Sequence, residues 1–459
     1  MCQDTDDKQQ QIEQKYSFEN DGGHTFVTKT SSHSLDTNPA VVLVETRHRQ
    51  ARRGGGTFTR LRQTSDYRVK TSLSSPTDLL AQQLVRVIES DAGNSPIPRK
   101  AWLRLLPSRL PSSPILCDAV LLFSNCWDKS LQNTSISPFD HHAYQKALGS
   151  LRPAIESQPS LDTPTAAAIL LLQSSEFYFN LDREASQVKH MAGLQAIISI
   201  KGLPSPLDEL DLHLFCDSVG TIVLNMILDG DDDAFRGPRI VNAMHSALHE
   251  DIETQGISSE QYRLCLFTIY WCKLASSLRR VIQASAIDST LTLMAEAKEV
   301  ADALVRFEEE KLAPILADRT KIWTVPDDSV PGGFAYQFSD ESYCELLLTL
   351  VTINIPVCQI LLSTCELLAL PGYHLSQRLQ KLSKRMWMSI PYVQSRSLAQ
   401  QGSTVVPLIL SLEHANSAWS DSLVRTIVEF LGPRSVFLPP EPTDFLLDHA
   451  MRLTGRAPT

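Results

Sequence analysis

The sequence lacks the short motifs that carry most enzyme and metal chemistry. None of its nine cysteines forms a Cys-x-x-Cys pair, which excludes the usual zinc-finger and zinc-ribbon spacings. It also lacks a Gly-x-Ser-x-Gly elbow, a phosphate-binding Gly-x4-Gly-Lys sequence and a Gly-x-Gly-x-x-Gly turn after a strand. We therefore expect no catalytic residue, no metal site and no cofactor, and predict that the protein is not an enzyme.

Glycine is scarce relative to proline, and the first residues lack an apolar leader. With 19 glycines against 26 prolines, the composition favours helices separated by stiff linkers over an all-β fold. The start, MCQDTDDKQQQIEQ, has no basic stretch followed by an apolar one, which argues against a secretory signal. Because most cysteines lie within apolar runs, we expect buried reduced thiols and a cytoplasmic or nuclear location.

Acidic charge dominates the chain, yet one segment is strongly basic. The formal net charge is -10, whereas residues 47–70 carry eight Lys or Arg against one acid, a local charge of +7 that leaves -17 elsewhere. Such an arm can supply weak, salt-dependent phosphate contact, serve as a nuclear import signal, or stay a solvated charge run. The candidate residues for DNA contact or nuclear import are Arg47, Arg49, Arg52, Arg53, Arg60 and Arg62.

Hydrophobic periodicity divides the chain into a polar tail and a helical body. Residues 1–75 contain too few apolar side chains to offset their ordering entropy, so we predict a disordered tail. Residues 76–459 predict an all-α body of roughly a dozen helices. The helices we expect include 77–93, 114–128, 208–228, 238–252, 260–283, 288–312, 340–369, 374–388, 404–418 and 420–431.

One uncharged stretch, residues 346–365, is long enough to cross a bilayer. It contains Asn354, Pro356 and Gln359, and its flanks are Glu345 and Glu366 rather than basic residues. These features favour a buried core helix, kinked at Pro356, and we expect no membrane partner.

Two groups of polar residues superficially resemble metal sites. His245 and His249 share a helix face, but Glu250 follows the second histidine instead of the first, so we favour a solvated face. In DGDDDAF, residues 229–235, the spacing of the aspartates fits the first positions of a calcium loop. That loop also requires glycine and a bidentate glutamate, and here Ala234 and Ile240 occupy those positions.

The order of several segments resembles the regulatory region of fungal binuclear zinc-cluster transcription factors. WLRLLPSRLPSSPILCDAVLLFSNCWD is followed by YQKALGSLRPAI, TPTAAAILLLQSSEFYFN, VKHMAGLQAIISIKG, NMILDGDDDAF and finally VVPLILSLEHANSAWSDSLVRTIVEFLG. The resemblance covers roughly residues 76–435 and rests on packing residues. The matching positions are Tyr144, Ala147, Leu148, Leu151, His190, Gly193 and Gly202.

The resemblance implies a helical body that serves dimerisation, effector response and co-regulator binding. It also exposes a departure, because members of that family bind DNA through six cysteines on an amino-terminal module, whereas this chain has only Cys2 before Cys117. Either the module was lost from the gene model, or the chain is a relative that acts through partners.

These observations lead to one main hypothesis and two alternatives. The main one is a nuclear, transcription-factor-like regulator, of a fungal metabolite biosynthetic gene cluster for instance, that makes weak DNA contact through the basic arm and pairs with itself or with other regulators. The first alternative is a helical metal-dependent cyclase or transferase using the acidic loop 229–233, although the Asp-Asp-x-x-Asp pattern is not met. The second is a non-DNA-binding partner of zinc-cluster factors.

Overall fold

The computed structural model is all-α, as the sequence predicts. It describes residues 75–89, 101–131, 137–157, 162–180, 193–195, 204, 208–230, 235, 238–249, 259–396, 398–432, 435 and 438–457. The predicted tail lies outside the described residues except for Ser75, and the basic arm lies outside them entirely. Everything described here belongs to one compact unit, Lys70–Thr459.

The first half of the body consists of helices whose ends carry polar caps. Ser75 and Asp78 cap the first helix reciprocally, each side chain accepting a hydrogen bond from the other residue's backbone N–H. Asp208 caps α5 by accepting from the backbone N–H of Leu210 at 3.1 Å. The helices are α1 Pro76–Glu89, α2 Pro114–Leu131, α3 His141–Ser157, α4 Thr163–Phe179, α5 Glu209–Asp229, α6 Pro238–His249 and α7 Ser259–Ala284, with 3-10 turns at Ala101–Leu105 and Pro107–Ser112.

The second half contains the longest helix and a small hairpin. A π-helical turn, Glu308–Leu312, interrupts the helical run between α8 and α9. The hairpin is antiparallel, with Ile322 opposite Phe338. The elements are α8 Ile287–Phe307, α9 Ala313–Ala317, β1 Ile322–Pro326, β2 Phe334–Phe338, α10 Glu341–Leu367, α11 Tyr373–Met388, α12 Ile390–Gln394, α13 Leu398–Ser403, α14 Val405–Leu412, α15 Ser417–Leu431 and α16 Pro442–Leu453.

Most predicted helix positions agree with the structure, but one is wrong. Residues 404–418 do not form one helix, because α14 ends at Leu412 and α15 begins at Ser417. Asn416 makes the break: its side chain accepts from the backbone N–H of Trp419 at 3.2 Å and thereby starts a new helix. The hairpin and α16 were not predicted from the sequence.

Helix α10 lies in the interior of the second half. It packs against α7, α8, α11 and α14, and it continues through Pro356 without a break. By length and composition alone, α5 and α10 could each cross a membrane, but most of each apolar stretch is buried inside the molecule. This burial agrees with the predicted core helix.

Candidate functional site

The structure leaves the basic-arm prediction untested and clarifies the two metal-like groups. Residues 47–70 lie outside the described residues, so nothing tests the six arginines. His245 and His249 are exposed on α6, and His249 lies 3.2 Å from Glu299 on α8. Among the described residues, no group of three or more His, Cys, Asp or Glu could hold a metal ion.

The acidic loop begins at a helix end. Asp229 is the last residue of α5, and Gly230 follows in the left-handed region with φ 73°, where glycine is favoured. Residues 231–234 lie outside the described residues. Phe235 and Ile240, however, are buried apolar side chains, so Ile240 cannot act as the twelfth-position ligand of a calcium loop.

The described cysteines are free thiols within the core, as predicted. Cys117 and Cys216 are half-buried, and the other six are buried. Burial raises the pKa of Cys344 to about 12, and burial likewise raises that of Cys358 to about 11 against the opposing effect of nearby Arg378. At neutral pH these groups are therefore protonated and are poor nucleophiles.

Two buried polar side chains on α10, Asn354 and Gln359, each belong to an interior polar network. The first, the glutamate–arginine cluster, consists of Glu308, Asn354, Arg378 and Arg385, with Tyr336 beside it. Glu308 Oε1 accepts from Arg385 Nη1, and its Oε2 lies 3.4 Å from Arg378 Nη2. The same Arg378 nitrogen donates to Asn354 Oδ1 at 2.9 Å. The cluster thus joins the π-helical turn after α8 to α10 and α11.

The glutamate–arginine cluster carries one positive charge in excess and lies mostly out of water. Its carboxylate is held by two guanidinium groups, and the Nε of Arg378 is buried without a hydrogen-bond partner in the part of the chain that the structure describes. Burial raises the pKa of Tyr336, while nearby Arg385 partly offsets the rise. Glu308, at the first position of the π turn, is therefore engaged in ion pairs and is poorly placed to act as a general base.

The second network, the carboxy-terminal polar cluster, consists of Gln359, Glu413, His414 and Arg456. Arg456 Nη2 lies 2.8 Å from both carboxylate oxygens of Glu413, and Gln359 Nε2 donates to Glu413 Oε2 at 2.9 Å. Burial lowers the pKa of His414, Glu413 opposes that shift and Arg456 adds to it. This network ties α10 to the residues that follow α14 and α16.

Sequence reasoning found the polar positions on α10 but not their partners. Asn354 and Gln359 are visible as polar interruptions of an apolar run. Their partners lie far along the chain: Arg385 is 77 residues from Glu308, and Glu413 is 54 residues from Gln359. No local pattern signals such pairs, so the clusters could not be assembled from the sequence.

The residues that carry the family resemblance are mainly packing residues. Tyr144, Ala147 and Leu151 are buried along one face of α3, and Leu148 packs against the core. Gly193 lies in a short helical stretch, while His190 and Gly202 lie outside the described residues. No protein-family model matches the chain, and neither a curated protein nor a solved structure is significantly similar to it.

Proposed function

We propose that this protein is a nuclear regulator of gene expression whose helical body binds other proteins and whose basic arm, residues 47–70, supplies import or weak DNA contact. It performs no catalysis in this proposal. Because the sequence contains no cysteine cluster, specific DNA recognition comes from a partner factor that carries one. The acting species is thus the complex with that partner, which this chain joins either singly or as a homodimer.

The observation that carries the proposal is the ordered set of resembling segments together with their packing. Four of the six segments contribute α2, α3, α4 and the end of α5, and each of these helices packs against the next or against α4. Of the segment between α4 and α5 only residues 193–195 are described, and the last segment forms α14 and α15. A helical body that contains these segments in this order is what the resemblance implies. The two polar networks support it as well, because their carboxylates are engaged in ion pairs that hold helices together.

Chromatin occupancy of the tagged full-length chain in its own cells tests the proposal. The variant replaces Arg47, Arg49, Arg52 and Arg53 by alanine. We expect discrete promoter peaks for the unmodified chain and their loss in the variant, because removing four charges weakens both phosphate contact and import. A diffuse cytoplasmic protein without peaks would contradict the proposal.

A matched control removes four exposed cations from the helical body instead: Arg86, Lys298, Arg319 and Arg425. It changes the net charge equally and should retain the peaks. Fusing an unrelated import signal to the arm variant then separates the two roles of the arm. Peaks that return identify an import function, whereas a nuclear protein without peaks identifies DNA contact.

Dependence on a partner is tested by repeating the occupancy measurement in cells that lack the candidate zinc-cluster factor. Loss of the peaks in those cells supports recruitment through the partner. The enzyme alternative predicts magnesium-dependent turnover that Asp231→Asn abolishes, and such turnover would overturn the proposal.

A further inference from the structure

Helix α11 is a basic element on an acidic molecule. Over its 16 residues, YHLSQRLQKLSKRMWM, it contains four Lys or Arg and no acid. The chain outside residues 47–70 carries a formal charge of -17. A helix of opposite sign to its surroundings is a local electrostatic feature that attracts acidic groups.

The four cations of α11 divide into two functional pairs. Arg378 and Arg385 turn inward and pair with Glu308. Lys381 and Lys384 are exposed, and within the described residues neither forms an ion pair or a hydrogen bond. The stem of Lys384 lies against Gly332 in the hairpin turn, where an added Cβ would meet its Cε at 2.8 Å. Two uncompensated ammonium groups therefore mark the outer face of α11.

An apolar turn adjoins this basic face. Where α10 ends and α11 begins, Leu367 is 52% exposed, Leu370 45% and Tyr373 74%. The turn closes the end of α10: the N–H of Leu370 donates to the carbonyl of Cys365 at 2.8 Å, and Ala369 occupies the left-handed region with φ 55°. Gly372 packs closely against α10, since a Cβ there would lie 2.3 Å from Leu362 Cδ1 and that side chain would have to shift.

A non-glycine residue in the left-handed region costs about 1 kcal/mol. Ala369 adopts this conformation despite the cost, and the side chains of Leu370 and Tyr373 beside it are exposed to solvent. Large apolar side chains fixed in an exposed, ordered turn beside cations are typical of a binding surface.

We propose that the surface formed by Leu367, Leu370, Tyr373, Lys381 and Lys384 binds an acidic amphipathic segment of a partner protein. The apolar turn takes the apolar face of that segment, and the two lysines attract its carboxylates. From Tyr373 to Lys384 a helix rises about 16 Å, which matches three turns of a bound helix. This inference stands apart from the gene-regulation proposal, since it requires only a partner of this chemistry.

Fluorescence polarisation with the purified full-length chain tests the surface. The probe is a labelled, designed amphipathic helix of 18 residues with leucine on one face and glutamate on the other. We expect saturable binding that weakens as salt rises. The double variant Lys381→Glu and Lys384→Glu should weaken binding by about tenfold or more, because two attractions become repulsions. Tyr373→Ala should also weaken it.

A charge-swapped probe distinguishes a real loss of charge attraction from misfolding of the variant. In that probe lysine replaces each glutamate, and it should bind the Lys381→Glu, Lys384→Glu variant better than it binds the unmodified chain. The matched control variant changes Arg86 and Arg425 to glutamate and Ile287, which is 68% exposed, to serine. It should bind the acidic probe normally.

Three outcomes overturn the proposal. The first is the absence of saturable binding of the acidic probe. The second is equal weakening by the surface and control variants. The third is stronger, lysine-dependent association with phosphatidylserine-containing vesicles than with the peptide, which would assign the surface to an anionic membrane instead.

Discussion

At the scale of single residues, the charges buried around α10 determine which substitutions matter. Glu308 forms ion pairs with Arg378 and Arg385, and the side chains of Glu308 and Arg385 are only 14% and 13% exposed. Removing one partner of a buried ion pair costs far more than the pair contributes, because it leaves a charge without compensation. Glu308 is therefore the residue at which a small chemical change has the largest expected effect.

Glu308→Gln should lower the free energy of unfolding by about 2–4 kcal/mol, since it leaves two guanidinium groups without a carboxylate. Urea unfolding followed by circular dichroism measures this difference. The control is Asp302→Asn, which breaks the exposed pair with Lys298 at 3.7 Å and should cost less than about 0.5 kcal/mol. Equal effects of the two substitutions would show that Glu308 does not hold the cluster together.

His414 should make stability depend on pH near neutrality. Burial lowers its pKa below the ordinary value of 6.5, so as pH falls the unfolded chain takes up a proton before the folded one does. Stability contributed by the neutral histidine is complete above pH 6.5 and is lost as pH falls through its folded pKa. Burial also lowers the pKa of His449, in the same direction.

Urea unfolding at pH 7.5 and pH 5 checks this expectation. Burial raises the pKa of Glu345 to about 6, which by itself adds stability as pH falls through that value, so the prediction compares variants. The free energy of unfolding at pH 5 minus that at pH 7.5 should be larger for His414→Gln than for the unmodified chain. His245→Gln, at an exposed position on α6, should leave that difference unchanged. If His414→Gln also left it unchanged, the histidine would not be the titrating group.

At the scale of elements, α16 is joined to α7 by an unusually close contact. Gly455 follows α16 in the left-handed region with φ 75°, and its N–H donates to the carbonyl of Arg452 at 3.0 Å. A Cβ at this position would lie 2.0 Å from the carbonyl oxygen of Ala275 in α7. Trp271 Nε1 also donates to the carbonyl of Leu453 at 2.9 Å. The end of α16 therefore tolerates no side chain at residue 455.

Gly455→Ala should lower the free energy of unfolding by more than about 2 kcal/mol, because it adds backbone overlap to conformational strain. Thermal unfolding measures the change. Gly333→Ala is the control: its φ is 72° but open space surrounds the added methyl, so about 1 kcal/mol is expected. A loss at Gly455 no greater than at Gly333 would contradict the close contact.

The elements that could be predicted from the sequence are long helices, in which apolar residues recur at helical spacing over many turns. Helices such as α7, predicted at 260–283 and observed as Ser259–Ala284, are long enough for the period to be read. The hairpin strands have five residues each, too few to establish a period of two. The contacts that build the two polar clusters connect residues far apart in sequence, so they depend on packing that no local pattern encodes.

At the scale of the whole molecule, one continuous hydrophobic core runs from Leu84 to Leu453. All of it lies within Lys70–Thr459. A chain that begins at Lys70 should therefore show the same helical circular dichroism signal per mole as the full chain. Its melting temperature should lie within about 2 °C of that of the full chain.

The matched comparison removes residues 442–459 instead. That deletion takes away Leu446, Ala450 and Leu453 from the core and should lower the melting temperature markedly. Thermal unfolding of the two truncated chains beside the full one provides the test. A large loss on removing residues 1–69 would show that the core described here is incomplete without them.

The contact between α7 and the end of α16 also affects the order in which the chain can fold during synthesis. Trp271 and Arg279 form hydrogen bonds with carbonyl groups that lie 182 and 178 residues further along the chain and are therefore synthesised later. At translation rates of roughly 5–20 residues per second, that delay is about 10–40 seconds. During this interval the part of α7 that contacts the end of α16 is uncovered in the nascent chain, so this region of the core forms only after α16 has been synthesised.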